Sequence, residues 1–302
     1  MGGLPFIDAH VHLWDLDRLR YPWLLPPFGD DGPNGSVEPI ARTYLLDDYR
    51  ADLADWSLAG AVHIEAGAQP SAALDETRWL QALADSEGLP SAIVAFAALD
   101  GPGVEGLLEA HASHRNVRGV RQIVNWHPDA GRTYTERDIT TDPAWQSGFG
   151  LLAKYGLSFD LQCYPGQMLG MAALIARHPD TPVILNHAGM LVDDNPQGRA
   201  LWREGMRALA ALPNVSVKLS GFGLIDRDWT QASIAPRILK AIEIFGTDSC
   251  MFASDVPTDS LFGSVDKHLS AYHAITAGFS HDERLDLFAR NAIRHYRLDL
   301  QV

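Results

Sequence analysis

Residues 6–12 read Phe6-Ile7-Asp8-Ala9-His10-Val11-His12, an apolar segment that ends in two histidines one residue apart. Successive side chains of an extended strand point to opposite faces, so His10 and His12 share one face and can converge on one ion or one substrate. A single His-x-His pair is more often a surface or core feature than a site. The position of this pair favours a functional site, because enzymes built on barrels of parallel strands have their active sites at the carboxyl ends of the strands.

Seven further short apolar runs follow, so that the chain is predicted to contain eight strands. Each run is nearly continuous in apolar residues, which is typical of parallel strands buried on both faces. The predicted strands are Phe6–His10, Gly60–Glu65, Ala92–Ala97, Val117–Ile123, Leu157–Gln162, Pro182–His187, Val215–Leu219 and Cys250–Ser254.

Helical periods separate the predicted strands. A helix is predicted from Ser71 to near Gly88, and Ser280–Glu283 form a capping box ahead of a helix near the carboxyl terminus. This alternation, without a break in composition, favours a (β/α)8 TIM barrel, an α/β fold, with loop insertions after strands 1 and 4 at residues 14–46 and 124–141. An open doubly wound sheet is the alternative, but no Gly-x-Gly-x-x-Gly motif follows an early strand.

Length, composition and charge narrow the functional class. The chain has 302 residues, of which 46% are hydrophobic and 21% charged, as is usual for globular proteins. Its 24 basic and 38 acidic residues give a net charge of −14, which argues against nucleic acid or an anionic membrane as a partner. No apolar segment has the length of a membrane span, and no signal-peptide pattern opens the chain. The two cysteines, Cys163 and Cys250, lack the spacing of a metal site, so a reduced, cytoplasmic setting is expected.

Polar side chains stand at the ends of most predicted strands. These side chains belong to His10 and His12, Glu65, Arg121 and Gln122, Gln162, His187, Lys218 and Asp255. Three imidazoles and one carboxylate from strands 1, 6 and 8 suit a divalent metal with an open position for water. They equally suit a metal-free site in which Asp255 takes a proton from water while the histidines polarise a carbonyl.

Ordered segments spread over nearly the whole chain carry a resemblance to a known family. They are Ile7-Asp8-Ala9-His10-Val11-His12-Leu13-Trp14-Asp15, Tyr21-Pro22-Trp23-Leu24, Val62-His63-Ile64-Glu65-Ala66, Gly119-Val120-Arg121-Gln122, Asn186-His187-Ala188-Gly189, Val217-Lys218-Leu219-Ser220-Gly221, Ser254-Asp255-Val256-Pro257 and Asn291-Ala292. Together they resemble the lactonase branch of the amidohydrolase superfamily, TIM-barrel hydrolases that include sugar-lactone and 2-pyrone-4,6-dicarboxylate lactonases. The resemblance implies one barrel domain over residues 1–302.

The resemblance also implies roles for the strand-end residues. His10 and His12 match the first-strand pair, His187 the sixth-strand histidine and Asp255 the eighth-strand base. The implied reaction is the opening of a small lactone, either a sugar aldonolactone or a carboxylated lactone, by water attack on the ring carbonyl with Asp255 as general base. The same four residues would hold one divalent ion such as zinc, although the branch includes enzymes that work without a metal. Strands 4 and 5 end in Arg121-Gln122 and Gln162-Cys163 in place of a bridging lysine and a histidine, so a binuclear centre is not expected.

Contacts to the small-molecule substrate are expected from a second group of residues. Its members are Arg121, Gln122, Lys218, Glu65, Gln162, Trp14, Trp23 and Trp126. Arg121 and Lys218 serve equally well as members of a structural salt bridge, for instance with Glu65. The tryptophans either wall the pocket or pin their loops to the barrel.

The remaining histidines are expected to play no part in the site, except that His63 shares a face with Glu65. Those placed on helical or surface stretches, and therefore expected to be solvated, are His111, His114, His178, His268, His273, His281 and His295. Two rival functions remain: a metal-dependent non-oxidative decarboxylase of the same superfamily, and a barrel that binds a ligand without converting it. Tyr21–Leu24 and Lys218–Gly221 favour the lactonase. A homo-oligomer is compatible with the sequence.

Overall fold

The computed structural model describes residues 3–302. Its eight strands lie in one sheet in chain order, and each neighbouring pair is parallel. The strands are β1 (Phe6–Val11), β2 (Leu58–Ile64), β3 (Ala92–Phe96), β4 (Val117–Arg121), β5 (Ser158–Leu161), β6 (Val183–Leu185), β7 (Val215–Leu219) and β8 (Cys250–Phe252). Every predicted strand overlaps one of these, which confirms the (β/α)8 TIM barrel. The sixth and eighth strands are shorter than predicted, because the chain leaves the ladder before His187 and Asp255 and turns their side chains toward the barrel mouth.

The barrel closes between its first and last strands. Val11 forms a parallel bridge with Val256. Backbone hydrogen bonds run from His12 N to Val256 O (2.8 Å) and from Asp255 N to His10 O (2.9 Å). Below them the buried Asp8 carboxylate accepts hydrogen bonds from Ser254 N at 2.8 Å and from the Tyr49 hydroxyl at 3.0 Å. Asp8 therefore ties β1 to the segment after β8 directly beside the strand-end histidines.

Helices alternate with the strands as the sequence predicts. They are α1 (Leu46–Asp52), α2 (Ala73–Glu87), α3 (Val104–Ala112), α4 (Pro143–Phe149), α5 (Pro165–Ile175), α6 (Pro196–Ala210), α7 (Gln231–Phe245), α8 (Val265–Ile275), α9 (His281–Leu285) and α10 (Asn291–Tyr296). The helix predicted from Ser71 begins at Ala73, because Pro70–Ala72 form a 3-10 turn first. It ends before Gly88, whose φ of 77° is the left-handed conformation that stops a helix. At α9, Ser280 and Glu283 form the predicted capping box.

The two long insertions follow β1 and β4, as predicted, and both extend over the carboxyl ends of the strands. The first contains 3-10 turns at Pro22–Leu24 and Glu38–Ile40, and an antiparallel bridge joins Trp14 to Tyr44. Trp23 Nε1 donates to the carbonyl of Ala66 at 2.8 Å, which fixes this loop against the end of β2. Within residues 3–302, no helix combines the length and the apolar character needed to span a membrane.

A buried carboxyl on α2 makes the stability of the barrel depend on pH. Glu76 is buried, and its Oε1 accepts a hydrogen bond from Ala66 N at 3.3 Å. Burial, reinforced by the neighbouring Glu65 charge, raises the pKa of Glu76 from 4.5 to about 8. Because the folded-state pKa lies above the unfolded value, the stability that this group contributes is complete below about pH 4.5 and is lost as the pH rises to about 8.

Replacing Glu76 by glutamine should flatten this dependence, because the amide stays neutral at every pH. Relative to wild type, Glu76→Gln is expected to gain unfolding free energy of the order of 1 kcal/mol for each pH unit between roughly 5 and 8. Urea denaturation at pH 5, 7 and 9 measures the difference. Glu109→Gln, at an exposed position of α3, is the control and should follow the wild-type curve. Parallel curves for wild type and Glu76→Gln would contradict the assignment.

Candidate active site

The structure brings together the four residues on which the predicted site depends. Oδ1 of Asp255 lies 3.3 Å from Nε2 of His10 and 3.4 Å from Nε2 of His12. The two imidazole Nε2 atoms are 3.2 Å apart. His187 approaches from β6, with its Nδ1 3.9 Å from Oδ2 of Asp255. Three rings and one carboxyl, all buried, therefore share one small volume at the carboxyl ends of strands 1, 6 and 8.

Burial sets the protonation of this cluster. It raises the pKa of Asp255 above its usual value, partly offset by the charges of Arg121 and Lys218. It lowers the pKa of His12 to about 3 and of His187 to about 4. The pKa of His10 is also far below its ordinary value, because the ring is buried and Lys218 lies beside it. At neutral pH the three imidazoles are uncharged, so each offers a lone pair as well as an N–H donor.

The backbone at His187 and Asp255 is strained. Their φ angles are 53° and 57°, in the left-handed region that costs a side-chain-bearing residue of the order of 1–3 kcal/mol. Neighbouring groups hold the turn after β6 in place. The Ser220 hydroxyl lies 3.1 Å from Nδ1 of His187, and Trp202 Nε1 donates to the carbonyl of Ala188 at 2.8 Å. Strain at two site residues is typical of a functional centre.

Gly221 lies directly against the ring of His187. A Cβ atom at this position would fall 2.5 Å from Nδ1 of His187, and the φ of Gly221 is 66°. Gly221→Ala should therefore push the imidazole away from Asp255 and lower kcat/KM for the enzyme's substrate by roughly 100-fold. Gly106→Ala is the matched control, since a Cβ atom added at Gly106 in α3 would meet nothing within 4 Å. Wild-type activity in Gly221→Ala would show that the position of His187 does not matter.

Arg121 forms the salt bridge with Glu65 that the sequence suggested. Its Nε lies 2.7 Å from Glu65 Oε1, and its Nη2 donates to the carbonyl of Glu65 at 2.8 Å. Nη1 reaches Gln162 Oε1 at 3.1 Å and lies 3.4 Å from His10 Nε2. Both partners are almost fully buried. The guanidinium is thus fixed at the edge of the imidazole cluster.

Lys218 has a different partner from the one the sequence suggested. Its Nζ lies 2.5 Å from Oδ1 of Asp160, not beside Glu65, and 3.3 Å from Nδ1 of His10. The Tyr296 hydroxyl donates to the same Asp160 oxygen at 2.7 Å. Since β7 is adjacent to neither β1 nor β5, these contacts cross the barrel interior. Lys218 is fully buried beneath His10, a position from which it supports the cluster instead of facing a ligand.

A cavity of about 390 Å³ opens above the cluster. Eight of the predicted site residues line it: His12, His187, Asp255, Glu65, Arg121, Gln122, Gln162 and Trp23. The amide oxygen of Gln122 is already engaged, because it accepts hydrogen bonds from Leu99 N and Trp145 Nε1, both at 2.9 Å. His10 does not line the cavity; its Nε2 lies 3.2 Å from Nε2 of His12 and 3.4 Å from Nη1 of Arg121.

Two of the three tryptophans, Trp14 and Trp126, do not line this cavity. Trp126 does not wall this cavity: its backbone N–H donates to Gln167 Oε1 at 3.1 Å, which draws it toward α5 and into a separate cavity with His127 and Tyr164. Trp14 is buried behind the site. Its Nε1 donates to the carbonyl of Arg42 at 2.6 Å, and its ring lies roughly parallel to the ring of His12. Trp14 therefore fixes the loop against the barrel.

The expectation that the helical histidines are solvated is wrong for His111 and His268, which are fully buried. His111 contacts Thr77 Oγ1 and the carbonyl of Phe96, both at 3.0 Å, and holds α3 against its neighbours. His268 packs against Trp229, with ring centroids 4.6 Å apart. Both histidines lie on the helical face that carries apolar residues, and this pattern in the sequence indicates that they are buried. His63 is buried too and contacts the carbonyl of Leu13 at 3.2 Å.

Sequence reasoning missed several residues that line the cavity. Asn34, Tyr134, Leu224 and Thr258 come from the loops after β1, β4, β7 and β8. Loops have no periodicity from which their path can be read, so only the length of the two insertions pointed to Asn34 and Tyr134. Asp160, the partner of Lys218, could have been identified from the sequence, because a charged residue inside an apolar strand needs a partner.

The donor atoms of the cluster suit a divalent ion. One ligand atom from each of His10, His187 and Asp255 lies within 4.8 Å of the others. Oδ2 of Asp255 is buried and has no hydrogen-bond partner within residues 3–302. His12 Nδ1 contacts the carbonyl of Ile64 at 2.8 Å, which directs its Nε2 toward Asp255 as a second contact does for metal-binding histidines. Imidazole and carboxylate donors in this number fit one zinc ion.

A parallel barrel with imidazoles and a carboxyl gathered at the ends of its first, sixth and eighth strands has the architecture of a hydrolytic enzyme. Residues 7–298 match the amidohydrolase family, and the chain belongs to that family. This confirms the resemblance drawn from the sequence motifs.

Individual relatives match along nearly their full length. The chain is 43% identical over 303 residues to protein y4mH of Sinorhizobium fredii, across 99% of this chain and 100% of that protein. It is 29% identical over 312 residues to an L-fucono-1,5-lactonase of Burkholderia multivorans, across 99% of this chain and 97% of the relative. The crystal structure of a Burkholderia multivorans amidohydrolase with bound zinc has a TM-score of 0.79 and 29% identity, with 97% of this chain and 99% of that chain covered.

Proposed function

We propose that this protein hydrolyses a small lactone, with Asp255 as the general base. The observation that carries the proposal is the position of the Asp255 carboxyl, buried at the floor of the cavity with Oδ1 within 3.4 Å of two neutral imidazoles. The similarity to an L-fucono-1,5-lactonase across nearly the whole chain supports a cyclic ester as the substrate.

The residues present supply each proton transfer of the reaction. Asp255 accepts a proton from the attacking water, whose oxygen forms a bond to the ring carbonyl carbon. The tetrahedral intermediate then collapses, the bond from that carbon to the ring oxygen breaks, and the ring oxygen leaves as an alcohol. Asp255 returns its proton to this oxygen. Burial raises the pKa of Asp255, which brings the carboxyl closer to a base that is also able to give the proton back.

Negative charge on the carbonyl oxygen is stabilised by other groups that line the cavity. His187 lines the cavity as a neutral ring with one N–H donor, and the fixed charge of Arg121 lies at its edge. Preorganised donors of this kind need no rearrangement as the charge develops. The contacts of His12 with Ile64 and of His187 with Ser220 hold the orientations of the two rings.

A single zinc ion held by His10, His12, His187 and Asp255 belongs to this proposal. When bound, the ion supplies Lewis-acid polarisation of the ring carbonyl. Strands 4 and 5 end in Arg121 and Gln162, which bond to each other and leave no ligands for a second ion at this point. Elemental analysis should find about one zinc per chain, and chelation should abolish activity until zinc is restored. Full activity in protein stripped of metal would contradict this part of the proposal.

The charges around the cavity favour an uncharged, hydroxylated lactone over a carboxylated one. A substrate carboxylate away from the reacting centre needs a free cationic side chain. Arg121 is paired with Glu65, and Lys218 is buried against Asp160. Among the described residues that line the cavity, Arg121 is the only lysine or arginine, while Glu65 and Asp255 are acidic. Gln162, Asn34 and Thr258 instead offer neutral hydrogen-bonding groups to hydroxyls.

A screen with two readouts tests the proposal. Purified protein is incubated with neutral aldonolactones, with 2-pyrone-4,6-dicarboxylate and with hydroxylated benzoates, while acid release and carbon dioxide release are followed separately. The proposal expects ring opening of neutral aldonolactones, with kcat/KM at least about tenfold above that for the dicarboxylate. Carbon dioxide release without lactone consumption would identify the decarboxylase. A ligand-binding barrel would give neither signal.

A further inference from the structure

Two polar side chains from different insertions meet at the wall of the cavity. Asn34 belongs to the loop after β1, and Tyr134 belongs to the loop after β4. The Tyr134 hydroxyl donates a hydrogen bond to the amide oxygen of Asn34. Both residues line the cavity that contains Asp255, and within residues 3–302 neither side chain is hydrogen-bonded to His10, His12 or His187. The pair therefore belongs to the part of the cavity wall that the two loops form.

The backbone on both sides of the pair is held in place before any ligand binds. Tyr134 N donates to the carbonyl of Asn125 at 3.0 Å, and the hydroxyls of Thr133 and Thr135 reach the same oxygen at 3.4 and 3.2 Å. Beside Asn34, the guanidinium of Arg227 packs against Gly35, where a Cβ atom would come within 2.7 Å of it. The loop after β4 is thus held by its own hydrogen bonds, and the loop after β7 lies close to the loop after β1 at this point.

The pair keeps unused hydrogen-bonding capacity. The oxygen of the Asn34 amide accepts the hydrogen bond from Tyr134. The two N–H donors of the amide bond to no protein group within residues 3–302. The Tyr134 oxygen donates its proton but retains lone pairs as an acceptor. Together they offer N–H donors and an oxygen acceptor, with no net charge, which is the complement of a hydroxyl group.

We propose that Asn34 and Tyr134 determine substrate specificity by binding a hydroxyl of the lactone remote from its ring carbonyl. The inference rests on the proposed lactone hydrolysis and adds the residues that select the substrate. A polar pair built to bond a hydroxyl discriminates strongly against an analogue without one, because its groups are then left unpaired in the closed complex. The catalytic cluster supplies no such selection, since it acts on the ester group that all lactones share.

The test compares two six-membered lactones in the zinc-loaded full-length protein: the hydroxylated 1,5-aldonolactone that the wild type hydrolyses best, and unsubstituted δ-valerolactone. In Tyr134→Phe and in Asn34→Ala, the ratio of the two kcat/KM values should fall about 10- to 100-fold in favour of δ-valerolactone. The double variant should lose little more than either single variant, because the two groups act as a unit. Tyr155→Phe, which removes a surface hydroxyl that contacts Glu105, is the control and should keep the wild-type ratio.

An unchanged ratio in both variants would overturn the inference, even where all rates fall together. Binding provides a readout that does not depend on turnover. Calorimetry with the hydroxylated 1,5-lactam and with δ-valerolactam should show the same selective loss in the two variants. If the wild type hydrolyses no lactone while the selective loss of binding persists, the proposed function fails and the hydroxyl contact stands. If the hydroxylated lactam binds all proteins equally, the hydroxyl contact fails.

Discussion

Asp255→Asn should lower kcat for lactone opening by about 1,000-fold or more, with little effect on folding. The amide has the shape of the carboxyl but cannot take a proton from water or return one to the leaving ring oxygen. It also removes a charged ligand from the cluster formed with His10, His12 and His187. Steady-state rates on the best aldonolactone measure the loss, and urea denaturation verifies the fold.

The wild-type pH profile should agree with this assignment. A general base acts in its ionised form, so kcat/KM falls as the pH drops through the pKa of Asp255. The profile should therefore show an acid limb that follows the protonation of a single carboxyl group. Asp282→Asn, at an exposed position, is the control and should match wild type in rate and profile. Activity within tenfold of wild type in Asp255→Asn would remove Asp255 from the mechanism.

Arg121→Met should destabilise the protein by about 3–5 kcal/mol, the largest effect on folding that we expect from one substitution in the site. The change leaves the carboxylate of Glu65 almost fully buried without its 2.7 Å partner. It also removes the bond to Gln162. A buried charge that has lost its partner costs far more than the intact pair contributes, because desolvation is no longer offset.

The double variant Arg121→Met/Glu65→Gln distinguishes this cause from lost packing. Neutralising Glu65 removes the unpaired charge, so most of the lost unfolding free energy should return. Arg78→Met breaks an exposed pair with Asp75 and should cost less than about 1 kcal/mol. Urea denaturation of the four proteins gives the comparison. A double variant as unstable as Arg121→Met would attribute the loss to packing of the arginine side chain.

The fold and the centre of the site were predictable because both follow from strands. An apolar run fixes the position of a strand, and the position fixes which side chains stand at its carboxyl end. This is why His10, His12, His187 and Asp255 converge from strands 1, 6 and 8 although they are far apart along the chain. The partner of Arg121 was suggested for the same reason, since Glu65 ends a strand of the same sheet.

The loops and the barrel interior were harder to predict. Trp126 turns outward because its backbone bonds to Gln167 on α5, a contact that no local pattern reveals. Asn34 and Tyr134 meet only because two separate insertions fold toward each other. Lys218 pairs with Asp160 across the barrel, and pairing across non-adjacent strands depends on the closed shape of the sheet.

A single turnover in water labelled with ¹⁸O tests the central claim most directly. Enzyme in excess converts its best aldonolactone once, and mass spectrometry then examines the product acid and the peptide that contains Asp255. Water attack promoted by Asp255 predicts one ¹⁸O atom in the product carboxylate, with none in the released hydroxyl and none in Asp255. An unlabelled product together with ¹⁸O in Asp255 would show that the carboxylate attacks the ring itself, and would contradict its role as a base.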